Sequence, residues 1–172
     1  VPQTRERLIF IGVRQDLGIE PSHPLGRYCP VSVREALLGC EPSEIEPLIG
    51  RNREMLSLVE PGATSTRRNL AARRVFGKVR NFNLCRISWS KPAPTVLKSM
   101  RVSGEFGAGL VMPDEDRYVS IAELKRLCSF PDQFKLSGSF TDQWARLGNS
   151  VPPFLMRSIA NHIKAEILAR TN

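Results

Sequence analysis

The hydrophobic pattern of the chain changes character along its length. Leu8 to Val13 is an apolar run broken only by Gly12, which predicts a short buried strand. Just before it, Gln3, Arg5 and Arg7 alternate at period two, so an extended backbone would send all three to one side. Residues 14 to 30 are punctuated by Gly18, Pro21, Pro24 and Gly26 and read as a loop. Ser32-Val33-Arg34-Glu35 is a capping box that opens a short helix through Leu38, ended by Gly39. Ser43 to Glu46 offers a second box, kept short by Pro47 and Gly50. Cys85 to Trp89 reads as a strand, and residues 103 to 116 as a glycine-rich loop.

From Arg117 onward the reading is denser. Ser120 with Glu123 caps a helix beginning at Ile121, followed by a phenylalanine-rich loop and a second short helix. A tight turn is then expected at Gly148-Asn149-Ser150, leading to Pro152-Pro153 at the start of a last helix. That helix, to about Ala169, carries Leu155, Ile159, Ile163 and Ile167 at four-residue spacing, an amphipathic stripe that must pack on something.

Charge sharpens the picture. Of 172 residues, 25 are Lys or Arg and 17 Asp or Glu, a net charge of +8. The excess is local: residues 51 to 101 hold twelve basic residues against Glu54 and Glu60, leaving thirteen against fifteen elsewhere. Arg67, Arg68, Arg73, Arg74, Lys78 and Arg80 form the dense part of this cluster, an electrostatic footprint for phosphates. An acidic partner is expected, most simply nucleic acid. No run approaches a membrane span, and no signal-peptide pattern opens the chain, so no membrane contact is expected. Cys29, Cys40, Cys85 and Cys128 are scattered, without zinc spacing, and predict reduced thiols, no metal and an intracellular, cytoplasmic protein.

Three segments together carry a resemblance. Pro2-Gln3-Thr4-Arg5-Glu6-Arg7 comes first. Arg117, the helix from Val119 to Glu123 and Leu127-Cys128-Ser129-Phe130-Pro131-Asp132-Gln133-Phe134 come next. Gly148-Asn149-Ser150-Val151-Pro152-Pro153 closes the set. In this order they resemble the last sequence blocks of the DNA (cytosine-5)-methyltransferases. Ala122 and Cys128 depart from the family pattern, where Arg and Gln are frequent. Pro92-Ala93-Pro94-Thr95-Val96 is similar to the end of that family's target-recognition segment, where the Thr touches a phosphate beside the target nucleotide.

The resemblance implies a fold, a reaction and a set of sites. The fold is α/β. Residues 1–15 and 116–172 would form the closing part of a class I, Rossmann-like methyltransferase domain. Residues 16–115 would form a small mixed α/β target-recognition domain. In the implied reaction a cysteine thiolate adds to C6 of a flipped-out cytosine, and C5 takes a methyl group from S-adenosylmethionine. Arg7 would contact the O2 edge of the cytosine, and Arg5 would hold phosphate or brace that site. Gln3 and Thr95 would join the arginine cluster on double-stranded DNA, the partner the resemblance implies. Asn149 and Ser150 would sit by the cofactor. The family's nucleophile lies in Pro-Cys-Gln, and none of the four cysteines follows a proline. The expectation is therefore the C-terminal half of such an enzyme, a restriction-modification type of bacterium or phage, inactive without its N-terminal half. A stand-alone DNA-binding module is the competing expectation, and an RNA-methylating relative a third.

Overall fold

The computed structural model describes residues 1–26, 29–79, 84–99 and 109–170. It is a mixed α/β arrangement with two small parallel strand pairs and six α-helices among the described residues. Strand β1 (Gln3–Thr4) pairs with β3 (Ala93–Pro94), and β2 (Cys85–Arg86) with β4 (Leu110–Val111). The second pair extends sideways. Val119 N donates to Leu110 O, Met112 N to Arg117 O and Tyr118 N to Glu46 O, so segments 109–112, 117–119 and 46–48 lie side by side.

Helix α1 (Val33–Ala36) carries the Ser32–Glu35 capping box expected from the sequence. Helices α2 (Gly50–Ser57) and α3 (Ser65–Phe76) pack as a pair. Thr64 caps α3, and Gly77 ends it with φ 73°, a left-handed conformation that a side chain disfavours. Helix α4 (Ile121–Leu127) begins with the predicted Ser120–Glu123 box and packs on α5 (Phe140–Asn149). Helix α6 (Pro153–Glu166) runs into a 3-10 turn at Leu168–Arg170.

One buried cluster joins Met55, Leu56 and Ala72 of the α2–α3 pair to Ile87, Val111 and Met112, and on to Leu124, Leu127, Trp144 and Leu147. Both parts of the chain drawn from the sequence contribute to this core.

Four local expectations are corrected. Leu8 to Val13 forms no strand, and Leu8 and Phe10 are 80% and 85% exposed. A strand needs a partner ladder, and β3 pairs only with Gln3 and Thr4. Ser43 to Glu46 opens no helix. Glu44 adopts φ 51° and its carboxylate accepts from Gln143 Nε2, while the Glu46 carbonyl serves Tyr118. Gly148 and Asn149 are not a turn but the end of α5. The α6 stripe is graded, with Ile159 and Ile167 buried and Leu155 and Ile163 half-buried. Ser22 Oγ, 2.9 Å from His162 Nε2, brings the 14–30 loop against this helix.

Candidate nucleic-acid interface

The sequence placed Gln3, Arg5 and Arg7 together facing a ligand. The structure separates them by depth. Gln3 is buried: its Nε2 donates to Leu127 O at 3.2 Å and its Oε1 accepts from Val96 N at 3.5 Å. Both ends of its amide, expected on DNA, are engaged within the protein. Arg5 is half-buried and donates from Nη1 to Val96 O and from Nη2 to Gly148 O, each at 2.8 Å. Its guanidinium grips backbone, not phosphate. Arg7 is exposed, and among the described residues its guanidinium bonds its neighbour's carbonyl, Glu6 O, at 2.9 Å. Of the three, Arg7 is the one presented outward.

Thr95 is also committed inward, its hydroxyl donating to Thr4 O across the β1–β3 pair. Ser150 follows α5 in extended conformation, and both its N–H and its hydroxyl donate to Leu147 O, the hydroxyl at 2.6 Å. It caps the end of α5 rather than the start of α6, because the helix runs on through Asn149. Asn149 itself is exposed. Trp144, fully buried, donates from Nε1 to Leu97 O at 3.0 Å. A buried indole N–H needs an acceptor, but nothing in the sequence says that the acceptor is Leu97, 47 positions away.

Gly148 is required by contact. A Cβ there would stand 2.6 Å from the Leu97 carbonyl carbon and 2.8 Å from Lys98 N. Its backbone conformation does not demand glycine, since it is absent from the positive-φ residues. The space does.

The basic cluster is divided by α3. Arg67, Arg73 and Arg74 are exposed, and no ion pair engages them among the described residues. Arg67 and Arg74 lie seven positions apart, hence on one face of the helix. With Thr64, Thr66, Leu58, Leu70 and Ala71 they line a cavity of about 610 Å³. Arg68 points the other way, into the protein, donating to Ala63 O at 2.6 Å and approaching Cys85 Sγ at 3.5 Å. Its guanidinium, expected among the DNA contacts, is engaged within the protein. Lys78 is exposed, and Arg80 lies outside the described residues.

The Arg117 and Phe-Pro-Asp blocks prove architectural. Arg117 forks onto Glu123 at 2.8 and 2.9 Å, and onto Glu115 at 2.7 and 3.0 Å. Burial raises the Glu123 carboxyl, but its bonds to Arg117 and Ser120 outweigh this and hold it below its ordinary value. Asp132 accepts from Arg126, which also reaches Leu38 O, so this block fastens the α4 end to the α1 end. Burial pushes the Cys128 thiol up to about 12, far from a thiolate nucleophile.

The family model for the C-5 cytosine-specific DNA methylases matches residues 1–165. The chain belongs to that family. It is 31% identical to the type II methyltransferase M.Sau96I of Staphylococcus aureus over 175 residues, which is 95% of this chain and 40% of that protein. With the type II methyltransferase M.Eco47II of Escherichia coli it shares 26% identity, over 95% of this chain and 42% of the relative. A putative type II methyltransferase of Methanocaldococcus jannaschii, M.MJ0563P, is 34% identical over 72% of this chain and 36% of its own length. The chain therefore spans less than half the length of these cytosine methylase relatives. Among the described residues, no cluster of His, Cys, Asp or Glu could hold a metal ion, and no helix is long and apolar enough to cross a membrane.

Proposed function

We propose that this chain is the C-terminal portion of a DNA cytosine-5 methyltransferase, supplying target recognition and one wall of the cytosine and cofactor pocket. The observation that carries this reading is the exposed arginine face of α3 in a chain of the cytosine methylase family. Arg67, Arg73 and Arg74 lie free of ion pairs among the described residues, as phosphate-binding groups must before DNA arrives. In this reading residues 16–115 are the recognition part. Residues 1–15 and 116–172 close a Rossmann-like methyltransferase domain whose other half carries the nucleophilic cysteine.

Arg7 is the candidate for the cytosine O2 edge. It is exposed and fixed in charge, and its benefit grows as negative charge moves onto the ring during attack at C6. S-adenosylmethionine supplies the methyl group when bound. The fit is partial: Asn149 offers an exposed amide, and the Ser150 hydroxyl, already donating to Leu147 O, can still accept. Neither the cavity against α3 nor the apolar cavity lined by Phe130 and Phe154 includes these two residues, so they would form an edge rather than a container.

The test is methyl transfer to cytosine in duplex DNA from a radiolabelled donor, with and without the N-terminal half. The chain alone should transfer nothing, and the reconstituted enzyme should be active. In it, Arg7→Ala should depress kcat far more than DNA affinity. Replacing Arg67, Arg73 and Arg74 together with Ala should weaken DNA binding and flatten its log–log salt slope by about 0.9 per lost phosphate contact. Activity of the chain alone, or an unchanged slope, would overturn the reading.

A further inference from the structure

We propose that Arg5 is a positioning residue, the clasp that fastens the Ala93–Lys98 segment to the last turn of α5 and so fixes that segment relative to Asn149. The inference rests on the function proposed above for residues 16–115 on DNA and for Asn149 beside the cofactor. The clasp itself is read from geometry alone.

The last carbonyls of an α-helix lack intrahelical partners, and the helix end carries partial negative charge. At the end of α5, Leu147 O is taken by Ser150 and Gly148 O by Arg5 Nη2. A permanent cation is well suited to that place. The other fork of the same guanidinium holds Val96 O. One planar group thus bridges two carbonyls 52 positions apart in sequence, 96 to 148, and its buried Nε has no partner.

Three further contacts close the same seam. Trp144 Nε1 donates to Leu97 O, Thr95 Oγ1 to Thr4 O, and Val96 N to Gln3 Oε1. Gly148 leaves room for Leu97 and Lys98 to lie directly against α5. The Pro-Gln-Thr-Arg, Pro-Ala-Pro-Thr and Gly-Asn-Ser segments therefore meet at one point, with Arg5 inside it and Arg7 and Asn149 outside it. The recognition part and the cofactor edge are joined rigidly here.

A phosphate-binding Arg5 and a clasping Arg5 predict different losses. If Arg5 bound phosphate, Arg5→Ala would weaken DNA binding, flatten its salt slope by about one unit and leave cofactor affinity alone. If it clasps, the salt slope stays as in wild type, while affinity for S-adenosylmethionine falls along with DNA affinity, because the Ala93–Lys98 segment and Asn149 loosen together. Arg5→Lys, which can serve only one carbonyl at a time, should show the same pattern. Gly148→Ala, which wedges the seam open from the opposite side, should reproduce it. These measurements use the enzyme assembled with its N-terminal half. A second readout needs no activity: hydrogen exchange in the chain itself. The Val96 and Ser150 amides should both exchange about tenfold or more faster in Arg5→Lys, with protection in α2 and α3 unchanged. A flattened salt slope with intact cofactor affinity would overturn the proposal, and so would unchanged exchange at Val96 and Ser150. An inactive assembled enzyme with the exchange result intact would reject the function proposed above and leave the clasp standing.

Discussion

Replacing Glu123 by Gln keeps the side-chain volume and removes one charge from a deeply buried ion pair. Arg117 and Glu123 side chains are only 8% and 5% exposed, and they meet through two short bonds. Removing one member of such a pair costs about 3–5 kcal/mol, because the remaining charge is left in a poorly solvated place. Glu115 softens this, since it also bonds Arg117 and its own side chain is 55% exposed. The Ser120 N–H bond to Glu123 Oε2 at 2.7 Å is weakened in the same step, which adds to the loss. A cost of about 3 kcal/mol follows. In a domain of this size that lowers Tm by roughly 6–12 °C. The pH dependence gives a stricter check. The Glu123 carboxyl titrates below its ordinary 4.5 in the folded chain, so its stabilisation is present above that value and is lost as pH falls through the folded pKa. Urea unfolding of both proteins between pH 7 and pH 3 should show a stability gap that is constant above about pH 5 and narrows below it. A gap under about 1 kcal/mol at pH 7 would refute the argument, because that is what an exposed pair contributes. So would a gap that does not narrow in acid.

Two further outcomes follow from the interior. Trp144→Phe keeps one aromatic ring but strands Leu97 O and empties the space of the pyrrole ring, and should cost at least about 1–3 kcal/mol in urea unfolding, with a smaller loss arguing that water replaces the indole N–H. Thiol labelling at pH 8 should mark exposed Cys29 first and Cys128 last, since burial holds the Cys128 thiol near 12 and also raises Cys85; early labelling of Cys128 would contradict its packing beside Leu147.

What the sequence made legible was local and periodic. The boxes at Ser32 and Ser120 involve partners three residues apart, and short-range chemistry of that kind is decided where it is written. The Ser139–Asp142 box at the head of α5 is of the same kind but lies in a stretch where the three phenylalanines drew the reading toward a loop. The failures are all long-range. Ser43 to Glu46 has the letters of a box, yet Gln143 claims Glu44 from 99 positions away. Leu8 to Val13 has the letters of a strand, yet no described segment pairs with it. Gly148 looked like a turn glycine, whereas the approach of Leu97 makes a side chain impossible there. The family likeness locates the important blocks but not their depth: Gln3 and Thr95, expected on DNA, bond within the protein, and of the two roles expected for Arg5, phosphate and brace, its bonds to Val96 O and Gly148 O are those of a brace.

The same distinction reshapes the charge. Twelve basic residues between 51 and 101 suggest a broad phosphate-binding surface, but several are engaged within the protein. Arg53 and Arg86 share Asp116 at 2.6 and 2.8 Å, and their bonds, Arg86 first, hold that carboxyl below its ordinary value. Arg86 also donates to the carbonyls of Met112, Pro113 and Glu115 and is only 8% exposed. Arg51 stacks over Phe76 at 4.8 Å, and Arg68 is turned toward Ala63 and Cys85. These four arginines hold the α2–α3 pair, the β2–β4 ladder and the 112–116 turn in one piece. They present the rest rather than join it. The outward set on α3 is then narrow, Arg67 and Arg74 on one face and Arg73 off to one side, on a helix packed from behind through the buried Ala72 and Phe76. In the function proposed above, a narrow set suits register on a duplex better than a diffuse positive surface does, because phosphate contacts position a protein while base contacts specify the site. The basic residues of the middle third therefore do two different jobs, and exposure, not count, separates them.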